Sequence, residues 1–373
     1  MKVLLLSAYD ADSHKRWRRG LVAAIPDWEW TVLSLPPRYF SWRVRGNSLS
    51  WGRGDTLATL RQPWDLIVTT SMTDLASLRG FVPALGRVPT VVYFHENQFE
   101  YPRTEDAVSS VEPQLLNIYT ALCGDLLLFN SEYNRNTLLE GAELLLHKLP
   151  DQVPKGICQE IADKARVLPV PLETAAFTGS KNGEGEKSPR LTFVWNHRWE
   201  HDKGPDILLA ALRRFGRQQI PFTVHVVGQQ FRRQPAEFAH IRKLLDKLGA
   251  LGAWGYRESL VEYRQLLAQS HGVISTARHD FQGLSVLEAV AAGCQPLVPD
   301  NLAYPEWFGR GGWRYSDDVE SCAAQLCNAM VRCAQRVQSG DTLAVPDISS
   351  MSWEVMAGEY RQLLSECAGG HGN

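Results

Sequence analysis

The seven cysteines, at 123, 158, 294, 322, 327, 333 and 367, contain no C-x-x-C pair. An odd, scattered set argues against a disulfide framework and against a structural zinc site. A reducing, cytoplasmic setting is the expectation. No G-x-G-x-x-G follows the first apolar run, where the turn reads SAYDADSHKRWRRG, residues 7–20. A nicotinamide-dependent enzyme is therefore a distant reading. Charge of one sign is also missing. With 39 Lys and Arg against 41 Asp and Glu, overall charge points neither toward nor away from nucleic acid. The imbalance is local: residues 1–60 hold nine Lys and Arg against five Asp and Glu. Long apolar runs are absent too. The opening KVLLLSAY turns polar too soon for a secretory leader or a membrane span, and reads as a buried strand.

What is present is a regular alternation. Short apolar runs at 2–8, 30–35, 65–69, 89–94, 125–130 and 166–170 form a first series, and runs at 191–195, 222–227, 251–254, 272–276 and 294–299 a second. Continuous apolar strands separated by amphipathic stretches predict buried parallel sheets, hence an α/β, doubly wound class. Between the series lies TGSKNGEGEKSPR, residues 178–190, with no apolar anchor. It is the predicted linker. The expected division is a first Rossmann-like domain over 1–177 and a second over 191–351, with a cleft at their strand C-termini. The segment 352–367 predicts a helix with Trp353, Met356, Tyr360, Leu363 and Leu364 on one face.

Four stretches carry candidate chemistry. In HDFQGLSVLEAVAAG, residues 279–293, Asp280 precedes a glycine turn, Gly283, Leu284 and Ser285 open a helix, and Glu288 lies inside it. A helix start offers unpaired N–H groups and a positive dipole end, which suit a phosphate. In VWNHRWEHDKGPD, residues 194–206, a strand runs into a turn bearing Arg198 and Lys203, two cations able to neutralise a diphosphate. In VVYFHENQFEYP, residues 91–102, a strand delivers His95, Glu96, Asn97 and Gln98 into a loop, as hydrogen-bonding groups or a proton relay. Ser13, His14 and Lys15 open the first helix, facing an acceptor or an anion, or else lying on a solvated face. A fifth stretch, residues 36–54, interleaves Arg38, Arg43, Arg45 and Arg53 with Tyr39, Phe40, Trp42 and Trp51. Arginine on phosphate with aromatics on bases is how single-stranded or looped RNA is gripped; a lipid surface or a packed loop uses the same residues. In the loop at 300–318, Tyr304, Pro305 and Glu306 are candidate ligand-side residues.

Arg198 and Lys203 after one strand, with the acid-x7-Glu motif Asp280 to Glu288, resemble the retaining GT-B glycosyltransferases related to glycogen and sucrose synthases. The stretches DADSHKRW, LPPRYFSWRVR, YFHENQFEYP, FNSEYN and HDFQGLSVLEAVAAGCQPLVPDNLAYPE resemble the tRNA-queuosine α-mannosyltransferases, over about residues 1 to 365. The resemblance implies a GT-B fold of two Rossmann-like domains, with the C-terminal helix returning to the first. It implies transfer of mannose from GDP-mannose, with retention and without a metal or other cofactor, onto the cyclopentene diol of queuosine in tRNA. Under it, Arg198 and Lys203 hold the diphosphate and Gly283, Leu284 and Ser285 meet phosphate. Glu288 takes the ribose, Asp280 the sugar hydroxyls, and His95 lies near the anomeric carbon. Ser13, His14, Lys15, Arg38, Trp42, Arg43, Arg45, Glu96, Asn97 and Gln98 fall on the acceptor side. One departure stands out: the broad family usually has Glu where this chain has Asp280, which bears on which sugar fits. The competing readings are a glycosyltransferase acting on a lipid or small polyol, and a non-catalytic module that binds tRNA or a nucleotide sugar.

Overall fold

A computed structural model of the protein describes residues 1–100, 110–177 and 187–370. Most of the predicted linker, and the last residues of the Tyr93–Pro102 stretch, lie outside the described residues. The chain divides into two compact units, Met1–Pro171 with Trp353–Asn373, and Leu172–Ser352.

The first unit holds a six-stranded sheet: β1 (Lys2–Ser7), β2 (Glu29–Ser34), β3 (Leu66–Thr70), β4 (Thr90–Phe94), β5 (Leu126–Phe129) and β6 (Ala165–Val167). Its order is β2-β1-β3-β4-β5-β6, with every described pairing parallel. Successive residues of a strand face opposite sides, so Leu4, Leu6 and Ile67 enter one core while Val92, Phe94, Leu127 and Phe129 enter another. The C-terminal helix Trp353–Gly369 belongs to this unit. Its buried face of Met356, Tyr360 and Leu364 is the predicted one. Tyr360 Oη accepts from Trp17 Nε1 at 3.2 Å and lies 3.0 Å from the Pro169 carbonyl.

The second unit holds β7 (Leu191–Trp195), β8 (Phe222–Val227), β9 (Leu251–Gly255), β10 (Gly272–Ile274) and β11 (Gln295–Leu297), in the order β11-β10-β7-β8-β9. All are parallel. Phe193 and Trp195 pack on one face and Val194 and Val273 on the other, so both faces are buried beneath helices. Chain order reverses between β7 and β10. In an open parallel sheet, the crevice beyond the strand C-termini at such a reversal is where ligands bind. The turn after β7 carries Arg198 and Lys203, and the turn after β10 carries Asp280 and Gly283.

Candidate active site

The turns after β7 and β10 are tied together by buried polar contacts. Lys203 is 6% exposed, and its Nζ donates to the His279 carbonyl at 2.5 Å. The same Nζ stands 3.3 Å from Asp202 Oδ2 and 3.7 Å from Asp280 Oδ2. Thr276 Oγ1 donates to the Lys203 carbonyl at 2.7 Å and accepts from Trp195 Nε1 at 3.0 Å. At Gly204 the backbone is left-handed, φ +60°, and a Cβ there would run into the Thr276 carbonyl. Only glycine allows the two turns to approach this closely.

Asp280 holds the glycine from which the next helix starts. Its Oδ1 accepts from the Gly283 N–H at 3.0 Å, and its Oδ2 accepts from Tyr304 Oη at 3.3 Å. Burial works against the charged form of Asp280, but Lys203, with lesser help from His197, His279 and the Gly283 N–H, outweighs it and holds the carboxyl below its ordinary range. Gly283 has φ +77°, and a Cβ on it would lie 2.7 Å from Tyr304 Cε1. The helix Leu284–Ala291 starts from this glycine with no side-chain cap, so its first N–H groups remain available to an anion.

Glu288, in that helix, is 7% exposed and accepts from Tyr263 Oη at 3.2 Å. Tyr263 and Glu288 line a pocket with Ala176, Leu260, Arg264, Leu267 and Ala292. Arg198 is different. Its side chain is 45% exposed and pairs with Glu200 at 3.0 Å. Burial raises the Glu200 carboxyl above its ordinary value, although Arg198 opposes this.

His197 and His279 surround the Lys203 ammonium. Burial, reinforced by the Lys203 charge, pushes each down to about 4. An unfolded histidine titrates near 6.5, so below that pH the unfolded chain binds more protons than the folded one. Stability is therefore greatest above about 6.5 and drains away as pH falls toward 4. The unfolding free energy from urea titrations should fall by more than about 1 kcal/mol per pH unit between pH 6.5 and pH 4.5, and the fall should soften in His279→Gln.

The first unit gathers a second cluster. His14, 2% exposed on the first turn of helix Asp12–Ala24, meets Glu96 across Nε2–Oε2 at 2.9 Å. Its ring stacks on His95, with centroids 4.1 Å apart. Burial disfavours the His14 cation, but Glu96 overcomes it and the pKa rises. Burial, with the His14 charge beside it, holds His95 well below the ordinary value, so His95 is neutral. Its Nε2 has no hydrogen-bond partner among the described residues.

Several predicted residues turn inward. The Asn97 amide is spent within the protein: Nδ2 donates to Asn134 and Thr137 of helix Glu132–Lys148, and Oδ1 accepts from the N–H groups of Phe99 and Glu100 in its own loop. Gln98 Nε2 points at Met72 Sδ, 3.5 Å away. Residues 40–53 form a helix, Phe40–Arg53, rather than a loop. Its Trp51 is buried, and Arg45 is held by Asp74 at 3.0 Å and by Glu112. Tyr39 at 72%, Trp42 at 52% and Phe40 at 36% remain exposed, with Arg38 over the Tyr39 ring. Arg43 is half-buried, as are Ser13 and Lys15. Tyr304 is 1% exposed and serves Asp280 and Ser275 from within the core rather than lying on the ligand side. His197, Asp202, Tyr263 and His279 escaped the sequence reading. They carry no motif of their own.

Comparisons with known proteins follow the same division. Residues 2–172 match the family model described as tRNA-queuosine alpha-mannosyltransferase N-terminal, and residues 178–326 match glycosyl transferases group 1. A tRNA-queuosine alpha-mannosyltransferase of Drosophila melanogaster is 33% identical over 313 residues, 82% of this chain and 81% of that protein. A GDP-mannose:cellobiosyl-diphosphopolyprenol alpha-mannosyltransferase of Xanthomonas oryzae is 22% identical over 184 residues, 48% of this chain and 47% of that protein. Among solved structures, Anabaena HepE in complex with UDP and glucose matches with TM-score 0.67 at 15% identity, covering 98% of this chain and all of that one. Sucrose-phosphate synthase from Thermosynechococcus elongatus matches with TM-score 0.64 at 15% identity, covering 98% of each chain. No helix among the described residues is long and apolar enough to cross a membrane. With a GT-B fold and a relative matched over four-fifths of its length, the chain is a glycosyltransferase and belongs to the tRNA-queuosine α-mannosyltransferase family.

Proposed function

We propose that the protein transfers mannose from GDP-mannose, with retention, to the cyclopentene diol of queuosine in a tRNA anticodon loop, and does so in the cytoplasm. The observation that carries the donor half is the meeting of Lys203, Asp280 and the Gly283 helix start at one point. A cation, a carboxylate and a row of backbone donors suit a sugar diphosphate: the N–H groups and Lys203 for phosphate, Asp280 for sugar hydroxyls. Arg198 supplies a second cation and Glu288 takes the ribose. Negative charge developing on the departing phosphate meets groups already fixed in place, so no metal is required. The leaving phosphate accepts the proton of the attacking hydroxyl, and no protein base is needed. Both named relatives are mannosyltransferases, which favours mannose.

The acceptor half rests on the relative and on the helix Phe40–Arg53. The Trp42 ring lies over Gly46, where a Cβ would strike it, and half of Trp42 remains exposed. Arg38, Tyr39 and Trp42 thus offer cations beside open aromatic faces, suited to a splayed RNA loop. Ser13, Lys15 and Arg43, each half-buried, are assigned to the acceptor side with them. Incubation with queuosine-containing tRNA and a panel of nucleotide sugars, followed by nucleoside mass spectrometry, tests the reading. The expected product is one hexose on queuosine with GDP-mannose alone, and an α anomer by NMR shows retention. Slow donor hydrolysis without a tRNA product would discard this acceptor. In the same assay the double variant Arg38→Ala, Trp42→Ala should raise the KM for tRNA by about tenfold or more, since stacking alone contributes about 1–3 kcal/mol per base.

A further inference from the structure

A relay of hydrogen bonds stands behind Glu288. Asn196, at the end of β7, is 5% exposed, and its Nδ2 donates to the Ser285 carbonyl at 2.7 Å and to Tyr263 Oη at 2.9 Å. Tyr263, on helix Leu260–Gln269, stands 3.2 Å from Glu288 Oε2. A phenol has one proton to give. Because the Asn196 amide fills an acceptor position on the Tyr263 oxygen, the tyrosine proton is directed at Glu288. One oxygen of Glu288 is thereby held by the protein, and the carboxylate is oriented toward the pocket that both residues line. Asn196 also fixes the first turn of the helix that carries Glu288, through the Ser285 carbonyl.

We infer that Tyr263, aimed by Asn196, is a positioning residue that makes Glu288 a reader of the donor's ribose diol. The relay joins the turn just after β7 to helix Leu260–Gln269 and helix Leu284–Ala291, so it couples Glu288 to the turn that carries Arg198 and Lys203. This rests on the reading of Glu288 as the ribose partner and adds what orients it. No residue of the relay touches the transferred sugar, so its loss should appear in nucleotide affinity and in ribose discrimination.

Titration calorimetry with GDP and 2′-deoxy-GDP tests it, with UDP and 2′-deoxy-UDP run in parallel because the donor base is itself part of the proposed function. The wild-type protein should bind the ribonucleotide about tenfold more tightly than its 2′-deoxy form, the size of one well-made hydrogen bond to a charged group. Tyr263→Phe keeps the ring and removes the proton. It should weaken ribonucleotide binding about fivefold or more, leave the deoxy form nearly unaffected and bring the ratio to within about twofold. Asn196→Asp gives an independent route, because a carboxylate at that position competes with Glu288 for the tyrosine proton, and the ratio should collapse again. A wild-type ratio near ten that survives in both variants, with unchanged melting temperatures, overturns the relay and leaves Glu288 in place. A wild-type ratio of one with both bases removes the ribose reading, and the relay falls with it.

Discussion

Lys203→Met is expected to lower kcat by about two orders of magnitude or more and also to destabilise the second unit. The catalytic part follows from preorganised charge: one donor removed from a developing oxyanion costs roughly 3 kcal/mol, about a hundredfold in rate. The stability part follows from burial. Lys203 is 6% exposed, with Asp202 and Asp280 within 3.3 and 3.7 Å of its Nζ. Deleting one member of such a cluster leaves buried carboxylates facing each other without a cation. Broken buried pairs cost about 3–5 kcal/mol. The low end, about 3 kcal/mol, fits here because Asp280 keeps some exposure, and it corresponds to a melting shift of roughly 6–12 °C for a unit of this size. The variant should also lose the main force that depresses Asp280, so its carboxyl should titrate higher. Single-turnover rates below the transition, with calorimetry alongside, separate the two effects. Near-normal turnover by the folded variant would remove Lys203 from the mechanism.

The strands were legible because each is a short apolar run, and the central ones, such as β3, β4 and β7, are buried on both faces, a pattern that local sequence carries alone. Every run predicted from sequence is a strand of the structure, to within a residue or three at its ends. The acid-to-Glu288 motif was legible for a similar reason: strand end, glycine turn and helix are contiguous. What holds the motif was not. Lys203 meets His279 across 76 positions, and Tyr263 reaches Asn196 across 67. Such pairings come from sheet order, and no local period announces them. The basic-aromatic stretch misled in a different way. Its alternation of Arg and aromatic residues hides a helix, and the helix sorts them: Trp51 into the core, Arg45 onto Asp74, Trp42 to the surface. Composition revealed the ingredients, and only packing decided which of them stayed available.

Arg198→Ala should match Lys203→Met in rate and differ in everything else. Its guanidinium is 45% exposed and Glu200, with which it pairs, is 36% exposed, so the pair contributes little to folding. The expected change is a kcat lower by about two orders of magnitude with a melting temperature within about 1 °C of the parent. Arg198→Lys restores the charge but not the planar fork, so it should recover part of the rate and still fall short, because a diphosphate presents oxygens that a guanidinium meets in pairs. The pairing with Glu200 adds a further expectation. A carboxylate 3.0 Å from the guanidinium competes with the incoming diphosphate for the same N–H groups. Glu200→Gln should therefore lower the KM for the nucleotide sugar, and the gain should shrink as ionic strength rises, since exposed charges are screened. If Arg198→Ala instead turns over normally, the leaving group is held by Lys203 and the Gly283 helix start, without the exposed arginine.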